Sequence, residues 1–118
     1  MSADLSSHAE RGMSAPPEVV YSTATDPHRA DWLPTTLRRD GSGVVSEGEA
    51  LSAEWRSRDR PDWSARLRVD PVDAGGARVR LDLTAGPDQQ GGRQGLTDLA
   101  EESLDELARV VADNLTAG

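Results

Sequence analysis

The stretch that decides the fold of this chain runs from Leu96 to Leu115 and reads LTDLAEESLDELARVVADNL. Its apolar residues recur at intervals of three and four, the spacing of one face of an α-helix, over about five turns. Asp98 followed by Glu101 is typical of a capping pattern and predicts that the helix begins there. The apolar positions are Leu96, Leu99, Ala100, Leu104, Leu107, Ala108, Val110, Val111 and Leu115.

The middle of the chain changes from a helical to an alternating period. Apolar side chains occupy every second position in Ala65–Val69 and in Val79–Leu83, with arginines and aspartates between them. This alternation predicts two half-buried strands. Proline, aspartate and two glycines separate them, which predicts an antiparallel hairpin. Leu51–Trp55 alternates in the same way and predicts a third strand.

The first residues give a mixed signal for a further strand. Leu5, Ala9 and Met13 would lie on one side of it, but Ser7 and Arg11 would share that side. We expect a strand here, although these two polar residues weaken the alternation that predicts it.

The region between the first strand and residue 51 predicts short elements. Pro16–Tyr21 is typical of a short helix that starts with proline and could be capped by Ser14. Asp26–Trp32 predicts a second short helix. Thr35–Asp40 and Val44–Glu47 predict two short strands separated by glycines.

These elements predict an α+β fold in a single domain over residues 1–118. We expect a mostly antiparallel sheet of about six strands, two short helices after the first strand, and one long C-terminal helix. A sheet with one apolar face needs a cover, and only the last helix is long enough to provide it.

Composition excludes several classes of function. The chain has 13 basic residues, all arginine, against 21 acidic ones, a net charge of −8 and no cysteine. Disulfides, thiolate metal sites and cysteine nucleophiles are therefore excluded.

We expect no nucleic-acid partner, because most of the chain would repel phosphate. No membrane span or signal peptide is predicted, so we expect a cytoplasmic protein. The absence of lysine and isoleucine is typical of a GC-rich bacterial genome.

Three patterns invite a chemical interpretation. Gly86–Gly91 has the spacing of a phosphate loop but lacks the Lys-Ser/Thr that should follow, which favours a connector. Asp26, His28 and Asp31 could ligate a metal, but they need not converge, so neither a metal nor a cofactor is expected. An arginine stripe could bind an anion or a partner, although a solvated strand face is the more common reason for such a pattern. The stripe comprises Arg56, Arg58, Arg60, Arg66, Arg68, Arg78 and Arg80.

Several segments resemble the SRPBCC superfamily, the helix-grip group that includes START-type lipid-transfer domains, birch-pollen-allergen-like proteins and polyketide cyclase/dehydrase-like proteins. Residues 15–21 (APPEVVY), 25–27 (TDP) and 31–34 (DWLP) are similar to its first-helix region. Residues 71–83, with GGARVR at 75–80, resemble its later hairpin. The resemblance implies a curved antiparallel sheet wrapped around the C-terminal helix, with a cavity between them for an apolar ligand. Members usually have seven strands, more than are predicted here.

The leading hypothesis is that the chain binds a small apolar ligand, lipid or polyketide-like, between sheet and helix. Tyr21, Trp55 or Arg11 would orient it. The alternatives are a polyketide cyclase/dehydrase-like enzyme, or a non-catalytic partner-binding protein with a filled core that uses the arginine stripe or a sheet edge. The expected ligand-binding residues are Tyr21, Trp32, Trp55, Leu67, Val69, Leu81, Leu83, Leu104, Leu107 and Val111. Neither the catalytic residues nor the oligomeric state follow from the sequence.

Overall fold

The structure is a computed structural model of the 118-residue chain. It describes residues 4–26, 32–34, 45–46, 51–57, 62–73, 75–89 and 91–117. The elements in chain order are β1 (Leu5–Met13), α1 (Pro17–Ala24), β2 (Val45–Ser46), β3 (Leu51–Arg56), β4 (Ser64–Pro71), β5 (Ala77–Ala85) and α2 (Gly92–Ala117). The α+β class predicted from the sequence is confirmed.

The strands form one antiparallel sheet in the order β1-β5-β4-β3-β2. The predicted hairpin is β4 and β5, in which Leu67 lies opposite Leu81. On its other side β5 pairs with β1, and there Ala9 lies opposite Leu81. The prediction of about six strands is wrong for the described part of the chain, which contains four long strands and the two-residue β2.

The alternating period of the sequence divides the sheet into an inner and an outer face. On β4 and β5 the inner residues Leu67, Val69, Leu81 and Leu83 are at most 3% exposed. The residues between them are mainly arginine and aspartate, and the arginines are exposed. Burying one row of leucine and valine therefore fixes the register of the hairpin, because a slip of one residue would turn arginines inward.

The mixed pattern of β1 is explained by its neighbour α2. Two polar residues on the inner side of β1 contact the helix: Ser7 shares a hydrogen bond with Thr97, and Arg11 donates to Asp105. Ala9 and Met13, on the same side, enter the core. The inner side of β1 is therefore polar where it meets the flank of α2 and apolar where it meets the interior.

α2 is the predicted amphipathic helix, and it packs across β1 and β5 and against α1. Its inner face carries Leu96, Ala100, Leu104, Leu107 and Val111, each at most 2% exposed.

The predicted start of α2 at Asp98 is wrong, because the helix begins at Gly92, after Gly91 with a φ of 80°. Asp98 lies inside the helix and accepts a hydrogen bond of 3.0 Å from Gln94. Glycines lie at residues 91, 92 and 95. Because glycine is a poor helix former, the sequence does not predict the first turn of α2.

α1 begins at Pro17, and Pro16 precedes it as the N-cap residue. The amides of Val19 and Val20 donate to the carbonyl of Pro16, at 3.0 and 3.1 Å. No side chain caps this helix, so the prediction that Ser14 does so is wrong. Most of the predicted second helix and all of the strand predicted at 35–40 lie outside the described residues.

Candidate functional site

The candidate site is the interior between the inner face of the sheet, α1 and α2. One cluster of buried apolar residues, drawn from every long strand and both helices, lies in the described part of it. Nine of the ten expected ligand-binding residues belong to this cluster, and Tyr21 packs against it half-buried. The nine are Trp32, Trp55, Leu67, Val69, Leu81, Leu83, Leu104, Leu107 and Val111.

Two tryptophans form a pair in the interior. The rings of Trp32 and Trp55 meet edge to face, with centroids 5.5 Å apart and planes at 84°. The indole N–H of Trp32 donates to the carbonyl of Ala24 at the end of α1, at 3.2 Å. Its only polar group is thereby satisfied, and the ring is held between α1 and β3.

The three side chains expected to orient a ligand make contacts within the protein. The Tyr21 hydroxyl donates to the carbonyl of Ser52 at 2.9 Å and so ties α1 to β3. Arg11 lies at the surface in its ion pair with Asp105. Trp55 lies inside, in its edge contact with Trp32. Arg11 therefore does not point inward, and orientation of a ligand by Tyr21 or Trp55 stays a prediction.

Three hydroxyl residues are buried in the described part of the chain, at 3–4% exposure. Thr23 donates from its hydroxyl to the carbonyl of Val19 at 2.8 Å. Ser57 follows β3, and its amide donates to the carbonyl of Trp63 at 3.2 Å. The hydroxyl of Ser103, on α2, has no hydrogen-bond partner among the described residues. None of the buried residues described is ionisable.

Sequence reasoning missed Ser103. The available signal was its spacing: it lies three residues after Ala100 and four before Leu107, so it interrupts an apolar stripe with a hydroxyl. A serine at such a position can equally turn back onto its own helix. Only the structure separates the two cases.

The outer face of the sheet carries the arginine stripe, and its charges are paired. Glu54 accepts hydrogen bonds from Arg56 at 2.6 Å and from Arg66 at 3.1 Å. These two bonds lower the pKa of Glu54 below its ordinary value. Each of the other arginines described on this face has a carboxylate within 4 Å; the pairs are Arg68–Asp70, Arg78–Glu10, Arg80–Glu10 and Arg80–Asp82. Paired charges of this kind favour the solvated strand face over an anion site.

Two grooves lie on the surface of the described residues. One, of about 420 Å³, lies on the outer face and is lined largely by the ion-paired residues of the stripe. The other, of about 470 Å³, lies where the β4–β5 turn meets the end of β1 and is lined mainly by glycines, Met13 and Val72. The two carboxylates of the first groove, Glu54 and Asp82, are already paired with arginines. The second groove is lined by no carboxylate or imidazole.

The described residues contain no group of three His, Asp or Glu side chains placed to hold a metal ion. His28 and Asp31 lie outside the described residues. No helix among the described residues is both long and apolar enough to span a membrane.

Comparison with solved structures shows the fold. TTHA0849 from Thermus thermophilus is 20% identical with a TM-score of 0.66, over 95% of this chain and 99% of that one. A point mutant of norcoclaurine synthase from Thalictrum flavum, in complex with a transition-state analogue, is 9% identical with a TM-score of 0.64, over 97% and 98% of the two chains. The KanY protein is 16% identical with a TM-score of 0.62, over 93% and 99%.

The solved structures that the chain resembles are SRPBCC-like proteins with helix-grip folds. No protein-family model matches the chain, and no curated protein is similar to it in sequence. At these identities the likeness concerns the fold, and function has to be argued from the interior itself.

Proposed function

We propose that the chain belongs to the SRPBCC superfamily and binds a small apolar ligand in the interior between the sheet and α2. The observation that carries the proposal is the apolar cluster enclosed by β3, β4, β5, α1 and α2. Binding sites for small molecules are mostly apolar with few polar groups, and this interior has that composition. The complex of norcoclaurine synthase with a transition-state analogue supports the proposal by fold analogy.

Thermal unfolding with a panel of ligands tests the proposal. A ligand that binds only the folded chain stabilises it by RT ln(1 + [L]/Kd), or about 2.7 kcal/mol at a hundredfold excess over Kd. We expect at least one compound among sterols, fatty acids and aromatic polyketides to raise Tm in a concentration-dependent way. If no compound does so at its solubility limit, the proposal is wrong.

A variant with a larger side chain in the interior tests where the ligand binds. Ala53 is 2% exposed on the inner face of β3, so Ala53→Leu places extra volume in the interior. Ala112→Leu adds the same volume at an exposed position of α2 and is the matched control. The Tm rise produced by ligand should be reduced or lost in Ala53→Leu and unchanged in Ala112→Leu. Equal rises in both variants would place the ligand elsewhere.

The enzyme alternative, a polyketide cyclase-like activity, has weaker support. Aldol closure or loss of water needs an acid or base at the substrate, and the buried residues described are apolar apart from three hydroxyl groups. Partner binding through the arginine stripe is likewise weakened, because the arginines described there already pair with carboxylates.

A further inference from the structure

The interior of the described chain holds one hydroxyl group that the protein itself does not use. Ser103 is 4% exposed on α2, and no hydrogen-bonding group among the described residues accepts from it or donates to it. A buried polar group left unpaired is costly, so proteins seldom keep one without a purpose. Thr23, equally buried on α1, donates to Val19 instead.

Helical spacing indicates which side of α2 carries Ser103. Thr97 and Asp105 mark the flank of α2 that contacts β1. At about 100° per residue, Ser103 lies roughly 120° around the helix from Thr97, away from that flank. It shares its side of the helix with Leu99, which packs against the core cluster, and with Leu107 inside it. The hydroxyl is therefore on the side of α2 that turns into the interior.

The lack of charged side chains among the buried residues described limits which ligand groups this hydroxyl could bind. The buried residues described include no arginine, histidine or carboxylate. A ligand that carries a carboxylate would lose its hydration there and find no cation to replace it. A neutral carbonyl or hydroxyl oxygen loses less, and a serine hydroxyl can donate to the first and either donate to or accept from the second.

We infer that the ligand is an uncharged apolar molecule that carries one carbonyl or hydroxyl oxygen, and that Ser103 hydrogen-bonds to this oxygen and orients the molecule in the interior. This inference rests on the proposed function.

The test uses three naphthalene probes of nearly equal shape, measured by isothermal titration calorimetry. These are 2-acetylnaphthalene, with a ketone; 2-isopropylnaphthalene, with a hydrocarbon branch in its place; and 2-naphthoate, with a carboxylate. We expect the wild type to bind the ketone about 3- to 10-fold more tightly than the hydrocarbon, as one hydrogen bond would produce. The carboxylate should bind most weakly. In Ser103→Ala the preference for the ketone should disappear.

The outcomes separate the two proposals. If both neutral probes bind but Ser103→Ala leaves their affinity ratio unchanged, or if 2-naphthoate binds most tightly, the role of Ser103 is wrong while ligand binding stands. If none of the probes binds, and no compound of the thermal panel raises Tm, both the proposal of ligand binding and the proposed role of Ser103 are wrong.

A measurement without ligand gives an independent reading. Because the Ser103 hydroxyl is unpaired, Ser103→Ala should raise the Tm of the free protein, by about 2–5 °C. Thr23→Val, which removes a paired hydroxyl of equal burial, should not raise it. A Tm lowered by Ser103→Ala would mean that the hydroxyl is already paired, and would overturn the inference.

Discussion

At the scale of single residues, Glu54 shows how charge is held on the outer face of the sheet. Its side chain is 23% exposed, whereas those of Arg56 and Arg66, which both donate to it, are 77% and 66% exposed. Exposed ion pairs of this kind contribute about 0–1 kcal/mol each, because water screens them and the long side chains lose freedom. The outer face is therefore solvated and neutralised, and the interior contributes most of the stability.

The pKa of Glu54 makes a pH prediction possible. The two arginines hold this pKa below its ordinary value, so the carboxyl is harder to protonate in the folded than in the unfolded chain. Its contribution to stability is therefore present above the ordinary pKa and lost as the pH falls through the lowered one. The free energy of unfolding of Glu54→Gln should be below that of the wild type at pH 7, and the two should converge toward pH 3.

Urea unfolding at several pH values, followed by far-UV circular dichroism, measures this convergence. Glu18→Gln is the control, because Glu18 is exposed on α1 with no ion pair among the described residues. A difference between Glu54→Gln and the wild type that is the same at pH 3 and pH 7 would contradict the assignment.

At the scale of elements, the β4–β5 turn is closely packed against the end of β1. In the turn, Val72 donates to the carbonyl of Gly76 at 3.1 Å, and Gly75 has a φ of 88°. A Cβ added at Gly76 would lie 2.6 Å from the carbonyl oxygen of Met13, whereas one at Gly12 would meet nothing within 4 Å. The hairpin can therefore approach β1 only because residue 76 has no side chain.

This contrast predicts opposite outcomes for two glycine substitutions at the same end of the sheet. Gly76→Ala should lower the free energy of unfolding by about 1–3 kcal/mol, because backbone must move to relieve the clash. Gly12→Ala should stay within about 0.5 kcal/mol of the wild type. Urea denaturation of the two variants measures both values, and equal effects would show that the close approach is not present in solution.

The elements also show which features a single sequence can predict. β3, β4, β5 and α2 were predicted because each buries one face, and burial imposes a period of two or of 3.6. The start of α2 was missed because glycines occupy its first turn, where tertiary packing overrides propensity. The polar inner side of β1 became understandable only with Thr97 and Asp105 beside it. The apolar lining of the interior followed from the pattern, but the unpaired state of Ser103 did not, because it depends on which groups lie within 3.5 Å.

At the scale of the whole molecule, the described sheet and both helices share one apolar cluster. It includes Met13 of β1, Trp55 of β3 and Leu107 of α2, so residues that are distant in sequence are buried together. With no second cluster in the described chain to fold independently, we expect the loss of packing at any point to be felt throughout.

Leu107→Ala tests this cooperativity. Leu107 is fully buried, and the substitution should lower the free energy of unfolding by about 2–5 kcal/mol. Far-UV circular dichroism, which follows the helices and strands, and near-UV circular dichroism, which follows tryptophan packing, should give coincident midpoints in both proteins. Glu101→Ala, exposed on the same helix, is the control and should change stability by less than about 0.5 kcal/mol. Separate midpoints for the two signals would mean that the helix and the sheet unfold independently.

The edge contact between Trp32 and Trp55 also gives the molecule an optical reporter of its own. Buried indoles emit at shorter wavelengths than hydrated ones and are shielded from quenchers dissolved in water. All three tryptophans of the chain lie in or against the same interior. A guest whose absorption overlaps tryptophan emission would accept excitation from them when it entered, so light emitted by the unlabelled protein would report the arrival of the guest.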